Sequence, residues 1–264
     1  ILRQLSDVYR KIRNTARYLL GNLHDFNPAS DSINIDNLPL LDRWMLHRTA
    51  EVMSDINDAF ERYEFAKFFQ LIQSYCVVDL SNFYLDIAKD RLYVSAPSDK
   101  RRRSCQTVMA LIIERLAGLI APVLPHMAED IWLNIPYPLQ EESVFKKGWP
   151  NVPIDWCDNS LVAPIKYLRI LRAEINRALE ECRSNNYLGS SLEASIRVDI
   201  DSSHLEKSIK WLDKHGDKKV DILRDWLLIS NLQLGGEPWA EILISKQTEI
   251  GLIEISKARG DKCP

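Results

Sequence analysis

The chain has 264 residues, of which 46% are hydrophobic and 27% charged, and its formal net charge is −3. This composition is typical of a globular protein with one large or two ordinary domains, and any case for nucleic-acid binding has to rest on where the charges lie rather than on their sum. No apolar run approaches the roughly 18–20 residues of a membrane helix, no signal peptide is recognisable, and five scattered cysteines indicate reduced thiols, so we expect a cytoplasmic protein without membrane contact.

The first half of the sequence predicts an all-helical bundle, because apolar residues recur at spacings of three and four. The predicted helices cover residues 2–23, 40–63, 65 to about 94, 99–122 and 125–132. A loop rich in Pro, Ser, Asn and Asp separates the first two helices. In the third helix, an aromatic-rich stripe is expected to face the core: Phe65, Phe69, Ile72, Cys76, Leu80, Phe83 and Ile87.

The second half predicts a small α+β domain. A segment with four prolines and little periodicity, residues 135–156, is typical of a domain boundary. After it, residues 162–182 predict a helix, residues 194–201 alternate as a half-buried strand, and two helices and three short strands follow. The strands are expected at 232–236, 240–245 and 249–256, in an antiparallel or mixed sheet. The predicted fold is therefore mainly α, with a helical-bundle domain at 1–150 and an α+β domain at 151–264.

No catalytic motif is present in the sequence. It contains no Gly-rich phosphate loop, no nucleophile elbow and no zinc-binding His pair at helical spacing. The five histidines do not cluster with Cys or Asp at ligand spacing. We therefore expect a noncatalytic chain that holds no cofactor and no metal by itself.

Basic residues concentrate in two places in the first half. Residues 1–26 hold five basic against two acidic residues, and Arg10, Arg13 and Arg17 share one helix face beside Asn14. Residues 89–103 hold six basic residues against two acidic ones, including Lys89, Arg91 and the run KRRR. Such stripes suit a phosphate backbone, but each one taken alone is more often a solvated face with local ion pairs.

Four segments, taken together and in order, resemble a known family. They are RKIRNTARYLLGNLHDFNP, YCVVDLSNFYLDIAKDRLY, LAGLIAPVLPHMAEDIW and LGSSLEASI. In this order and spacing they resemble the C-terminal anticodon-binding region of isoleucyl-tRNA synthetase, a class I aminoacyl-tRNA synthetase. The third segment is shared by related synthetases, whereas the first and last are narrower. The sequence departs from the family at Asn185, Asn186 and Tyr187, where relatives often carry a Lys.

The resemblance implies a bundle that holds the anticodon stem and loop of isoleucine tRNA, followed by a junction domain. Catalytic and editing domains of the same chain would lie upstream, together with the ATP and Mg site, and a zinc module would follow, with Cys263 as its first ligand. The chain looks like a piece of such a protein. The resemblance implies RNA contacts by the following residues: Arg10, Arg13, Asn14, Arg17, Lys89, Arg91, Arg172 and Arg183.

Two further interpretations stay open at this point. Trp44, Tyr93 or Trp132 would suit stacking on unpaired anticodon bases, although each alone is more typical of a core residue. The chain would also suit a structural module that docks on a catalytic core without binding RNA. An independent enzyme would require a titratable cluster that the sequence does not show.

Overall fold

The computed structural model describes residues 2–215 and 219–258, leaving aside the side chains of residues 2–4 and 215. The chain divides into two compact units, Ile1–Asn159 and Ser160–Pro264. The first is a helical bundle and the second combines helices with a four-stranded mixed sheet, so the expected fold class is confirmed. Cys263 lies outside the described residues.

Unit 1 consists of helices joined by short turns. Its elements are α1 Leu2–Gly21, α2 Pro28–Asp31, α3 Leu40–Glu61, α4 Phe65–Ser74, a π-helical segment Tyr75–Tyr84, α5 Leu85–Tyr93, α6 Lys100–Ile120, α7 Pro125–Leu133 and α8 Val144–Lys147. Short 3-10 turns lie at Ile35–Asn37 and Ile154–Trp156. The five long predicted helices are all present, with ends within a few residues of those expected.

The apolar face of α1 forms part of the core from Ile12 onwards, whereas Leu5, which the same spacing places on this face, is 47% exposed. Ile12, Ala16, Leu19 and Leu23 are all at most 1% exposed. Thr15 lies on the flank of this face, and its hydroxyl lies 3.0 Å from the Lys11 carbonyl oxygen and 3.2 Å from the hydroxyl of Ser81. The contact between Thr15 and Ser81 joins α1 to the π-helical segment.

The third predicted helix is continuous from 65 to 93 but changes its winding in the middle. Over Tyr75–Tyr84 the backbone is π-helical, and the Ser81 hydroxyl donates to the Cys76 carbonyl at 2.8 Å. Most of the expected stripe is buried, but Phe65 is 48% exposed because it opens α4 at the turn after α3. π-Helical segments are rare and often occur at functional sites; hydrophobic periodicity does not reveal this one.

A buried ionic network lies between α3 and α5. The guanidinium of Arg91 donates to both carboxylate oxygens of Asp42, at 2.7 and 3.1 Å, and the Tyr84 hydroxyl donates to the same carboxylate at 2.6 Å. Asp42 is fully buried and Arg91 is 7% exposed. Burial alone would lower the pKa of Arg91, but the Asp42 carboxylate raises it above its ordinary value, so the guanidinium stays charged.

A second network fastens the end of α1 to the start of α6. The Arg102 guanidinium holds the Asp25 carboxylate with two hydrogen bonds, of 2.5 and 3.0 Å, and the Gln106 amide donates to it at 2.8 Å. Arg103 donates to the Asp25 carbonyl at 2.8 Å. The hydrogen bond from Arg102 is the main cause that lowers the pKa of Asp25 to about 2.

This lowered pKa predicts a pH-dependent contribution to stability. The folded protein favours the ionised Asp25, so the contribution is present above the ordinary carboxyl pKa near 4 and is lost as the pH falls towards 2. Asp25→Asn is expected to lower the free energy of unfolding at pH 7 by about 1–2 kcal/mol. In thermal unfolding series, the gap between wild type and variant should narrow from pH 5 to pH 2; a constant gap would contradict this account.

Unit 2 is built around a central strand. Its elements are α9 Val162–Ser184, β1 Ala194–Ile200, α10 Ser203–Leu212, α11 Lys219–Leu227, β2 Asn231–Leu234, β3 Ile244–Thr248 and β4 Gly251–Lys257. The strand order is β2-β1-β4-β3; β1 pairs with β2 in parallel and with β4 in antiparallel fashion. The expected start of a helix at Asp217 lies outside the described residues.

Two strand predictions in unit 2 need correction. The first strand was expected to be half-buried, but Ser195 and Arg197 are 6% and 5% exposed. Since β1 is a central strand, Arg197 pairs with Glu254 on the adjacent β4 at 2.5 Å and is covered. The strand expected at 240–245 instead begins at Ile244. The last strand, expected from residue 249, begins at Gly251, whose φ of +134° suits glycine.

Candidate nucleic-acid interface

The polar face of α1 is exposed along its middle and C-terminal half. Arg10, Asn14 and Arg17 follow one line along the helix at spacings of four and three, with Arg13 beside them, and all four are exposed. Arg10 pairs with Asp7 at 3.0 Å, but both side chains remain more than half exposed. Within the described part of the chain, Arg13 and Arg17 have no ion-pair partner. Their charge is therefore available to a ligand.

Two adjoining grooves lie beside this face, and we call them together the α1 trough. The larger has a volume of about 480 Å³ and the smaller about 330 Å³, and Asn14 and Tyr18 line both. The larger is lined by Asn14, Arg17, Tyr18, Gly21, Asn22, His24, Leu92, Tyr93 and Arg102. The smaller is lined by Lys11, Asn14, Thr15, Tyr18, Val77, Ser81, Leu85 and Lys89. The trough therefore lies between α1 and the continuous helix that contains the π-helical segment.

The structure brings Lys89 to the α1 trough as well. It is exposed and pairs with Asp86 at 2.9 Å on its own helix. Lys11 lines the same groove and has no carboxylate partner in residues 5–214 and 219–258. Because Lys11 and Lys89 come from different helices, only tertiary structure places their two charges around one groove.

The floor of the trough carries no negative charge from Tyr18. Burial, with the neighbouring Tyr93 hydroxyl adding to it, raises the pKa of Tyr18 well above its ordinary value. The buried hydroxyl of Tyr18 has no hydrogen-bond partner among the described residues. The phenol stays neutral at physiological pH, so the cations at the rim are not offset by a phenolate beneath them.

Arg91 is 7% exposed and is not part of this surface, so its position does not favour the RNA contact expected of it. Its guanidinium faces the core and donates two hydrogen bonds to the carboxylate of Asp42. In sequence, Arg91 is separated from Lys89 by a single residue, and that proximity suggested a shared basic patch. On a helix, residues two apart point about 200° away from each other, so one faces solvent while the other faces the bundle.

Most of the KRRR run is also structural. Arg102 is 8% exposed and, with Arg103, holds the Asp25 segment. Lys100 and Arg101 remain exposed at the start of α6. The second basic concentration in the sequence therefore contributes less charge to the surface than its composition indicates.

The two predicted contacts in unit 2 differ in exposure. Arg172 is 6% exposed, and its guanidinium donates to the Trp226 carbonyl at 2.7 Å. This burial does not favour the direct RNA contact expected of Arg172. Arg183 is at the surface and forms an ion pair with Glu180 one turn away. Neither residue is on the unit that carries the α1 trough.

Residues 185–187 form the turn at the end of α9. Asn186 has a φ of 57°, and the N–H groups of Asn186 and Tyr187 donate to the carbonyls of Arg183 and Cys182 at 3.0 and 2.9 Å. This is the left-handed cap that ends many helices, and asparagine tolerates that conformation better than most residues. The segment therefore ends α9.

Of the three aromatic residues considered for stacking, the structure exposes one. Trp44 and Trp132 are 5% and 3% exposed and belong to the core. Tyr93, the last residue of α5, is 64% exposed and lines the larger groove. The sequence analysis did not predict Lys11 and Tyr18 as trough residues. They lie seven residues apart along α1, on the flank of the basic face, and this spacing could have indicated them.

Among residues 5–214 and 219–258, no group of three or more His, Cys, Asp or Glu side chains is placed to hold a metal ion. Within the same ranges, no helix is both long and apolar enough to cross a membrane.

Comparison with known proteins identifies one family over most of the chain. Residues 42–198 match the family model described as the anticodon-binding domain of tRNA ligase. This match covers more than half of the chain and extends from α3 in unit 1 to β1 in unit 2.

The whole of this chain is similar to part of proteins named isoleucine–tRNA ligase. The chain is 68% identical over 263 residues to those of Parasynechococcus marenigrum strain WH8102 and Prochlorococcus marinus strain MIT 9211. It is 67% identical to that of Synechococcus sp. strain CC9311. Each alignment covers 100% of this chain and 27% of the relative, so the chain spans about a quarter of the length of these curated relatives.

Proposed function

The chain belongs to the family of anticodon-binding domains of tRNA ligases, and we propose that it binds RNA. The RNA that we propose is the anticodon stem and loop of isoleucine tRNA. The parent activity we propose is the ATP-dependent charging of that tRNA with isoleucine in the cytoplasm. The name of the relatives, isoleucine–tRNA ligase, supports the joining of isoleucine to tRNA. The observation that carries the proposal is the α1 trough, a groove bordered by unpaired cations on the bundle of this family.

The charges at the α1 trough suit a folded RNA loop. Arg17 and Lys11 lie at its rim without carboxylate partners among the described residues, and Arg13 extends the positive face along α1. Cations that neutralise phosphates release counterions, and a guanidinium can hold two phosphate oxygens at once. Because the net charge of the chain is −3, this attraction is local and directs the RNA to one face.

The remaining chemistry of the parent enzyme belongs to the proposal and is assigned to other parts of it. We propose that ATP and Mg are bound by a catalytic domain of the same protein, which would be a partner of this bundle together with an editing domain. Zinc would be held by a module that includes Cys263, a residue outside the described part of the chain. The bundle itself would bind RNA and leave catalysis to those domains.

One observation favours the structural alternative, a surface for docking on another protein domain. Aromatic side chains meet at the turn between α3 and α4, where the rings of Phe60 and Trp149 lie 5.1 Å apart. Tyr63 is 80% exposed and Phe65 48% exposed at the same turn. This apolar cluster is formed by the end of α3, the turn after it, the start of α4 and Trp149. None of its residues lines the α1 trough, so the two roles are compatible.

Binding to tRNA provides the test of the proposed function. We expect the chain to bind isoleucine tRNA with an affinity that falls as salt concentration rises, and to bind a tRNA with an altered anticodon at least tenfold more weakly. Titrations by fluorescence anisotropy at several salt concentrations measure both quantities. Equal affinity for every tRNA would leave only general attraction to polyanions, and self-association without RNA binding would favour the docking module.

A further inference from the structure

One aromatic ring at the α1 trough stands where a nucleotide base would meet it. Tyr93 is the last residue of α5, and the residue is 64% exposed although it lines a groove of about 480 Å³. That volume is within the range of roughly 300–1,000 Å³ found for small-ligand sites. An exposed aromatic ring beside a cationic groove is the arrangement by which proteins hold unpaired bases.

The same groove offers the other contacts that a nucleotide needs. Arg17 lines it from α1 and has no ion-pair partner among the described residues, so its guanidinium is available for a phosphate. The Asn14 side chain is exposed at the same groove and makes no hydrogen bond within residues 5–214 and 219–258. An amide carries both donors and an acceptor, which suits the polar edge of a base.

We propose that Asn14, Arg17 and Tyr93 form a subsite for one unpaired nucleotide of RNA. The base stacks on the ring of Tyr93, the amide of Asn14 meets its edge, and Arg17 holds an adjacent phosphate. This subsite rests on the proposed function, because it assigns one nucleotide of the anticodon loop to the larger groove.

The position of Tyr93 at a helix end gives the subsite its shape. The backbone carbonyl of the preceding Leu92 accepts a hydrogen bond of 3.2 Å from buried Arg102, which fixes the end of α5 against α6. Arg102 in turn is held by Asp25, directly after α1. These contacts fix the backbone that carries the Tyr93 ring, so stacking of a base on this ring costs little backbone entropy.

The test uses the 264-residue chain and an RNA hairpin with the anticodon stem and loop of isoleucine tRNA. The fluorescent base 2-aminopurine replaces one loop base at a time, since its emission reports stacking. Tyr93→Ala is expected to weaken binding about tenfold and to abolish the fluorescence change at one loop position. Tyr93→Phe keeps the ring and should keep both the affinity, within twofold, and the fluorescence change.

Two further variants separate the contacts of the subsite. Arg17→Ala should lower the slope of log affinity against log salt by about 0.7–0.9, the value for one phosphate contact, whereas Tyr93→Ala should leave the slope unchanged. Tyr63→Ala removes a tyrosine that is 80% exposed at the α3–α4 turn and serves as the matched control. Circular dichroism checks that each variant folds.

The outcomes distinguish the subsite from the function on which it rests. If the wild-type chain binds the hairpin and Tyr93→Ala binds it equally well with the same fluorescence change, the subsite is overturned and RNA binding stands. A loss as large in Tyr63→Ala as in Tyr93→Ala also overturns it. If the wild-type chain fails to bind the hairpin, the proposed function fails and the subsite fails with it.

Discussion

Arg91→Ala is expected to lower the free energy of unfolding of the helical unit by about 3–5 kcal/mol. In the folded protein, Arg91 and Tyr84 both donate hydrogen bonds to the fully buried Asp42 carboxylate. The substitution removes those from Arg91 and keeps the one from Tyr84. An uncompensated buried charge costs far more than the pair itself contributes. Urea unfolding followed by circular dichroism measures the loss as a shift of the helical transition to lower urea.

Two control variants separate a charge effect from a loss of packing. Asp42→Leu combined with Arg91→Met removes both charges, and it is expected to cost clearly less than Arg91→Ala alone. Arg10→Ala removes one partner of the exposed pair with Asp7 and should cost under about 1 kcal/mol. Equal losses in the single and double variants would show that packing around the long side chains, rather than the unpaired carboxylate, dominates.

The second large effect is expected on RNA binding. Replacing Arg10, Arg13 and Arg17 together by Ala should weaken the binding of isoleucine tRNA about 100-fold near physiological salt, because three charged contacts of roughly 1 kcal/mol each are lost. The salt slope should fall by about one for each phosphate contact removed. All three side chains are exposed, so the stability of the bundle should change little.

A matched triple variant tests whether the effect belongs to this face. Arg62→Ala, Lys67→Ala and Lys146→Ala remove the same charge from exposed positions elsewhere on unit 1. This control is expected to change affinity less than threefold. If both triple variants weaken binding equally, the attraction depends on overall charge and the α1 trough is not the interface.

Much of the fold follows from the order of residues alone. Spacings of three and four fix each long helix of unit 1, because a helix that lacks an apolar stripe has no way to bury itself against neighbours. The π-helical winding at Tyr75–Tyr84 leaves no comparable mark, since it inserts a wider turn while keeping the apolar face inward. The burial of Arg197 is equally hidden, because it depends on Glu254 from another strand.

The site was predicted only in part. The exposed face with Arg10, Arg13 and Arg17 follows from helical periodicity, which fixes the side of α1 that faces away from the core. The roles of Arg91, Arg102 and Arg172 do not follow, because a buried arginine requires an acceptor such as Asp42 or Asp25 that is distant in sequence. A count of basic residues treats these arginines as surface charge.

By itself, the sequence determined the helical bundle, the α+β unit and the basic face of α1, all of which depend on neighbours within one or two turns of chain. Only the tertiary structure decided which cations remain free, because each guanidinium is either solvated or neutralised by a partner from another element. It also set Lys89 and Tyr93 beside α1 and so formed the α1 trough. Local patterns fix elements, whereas a binding groove exists only where separate elements meet.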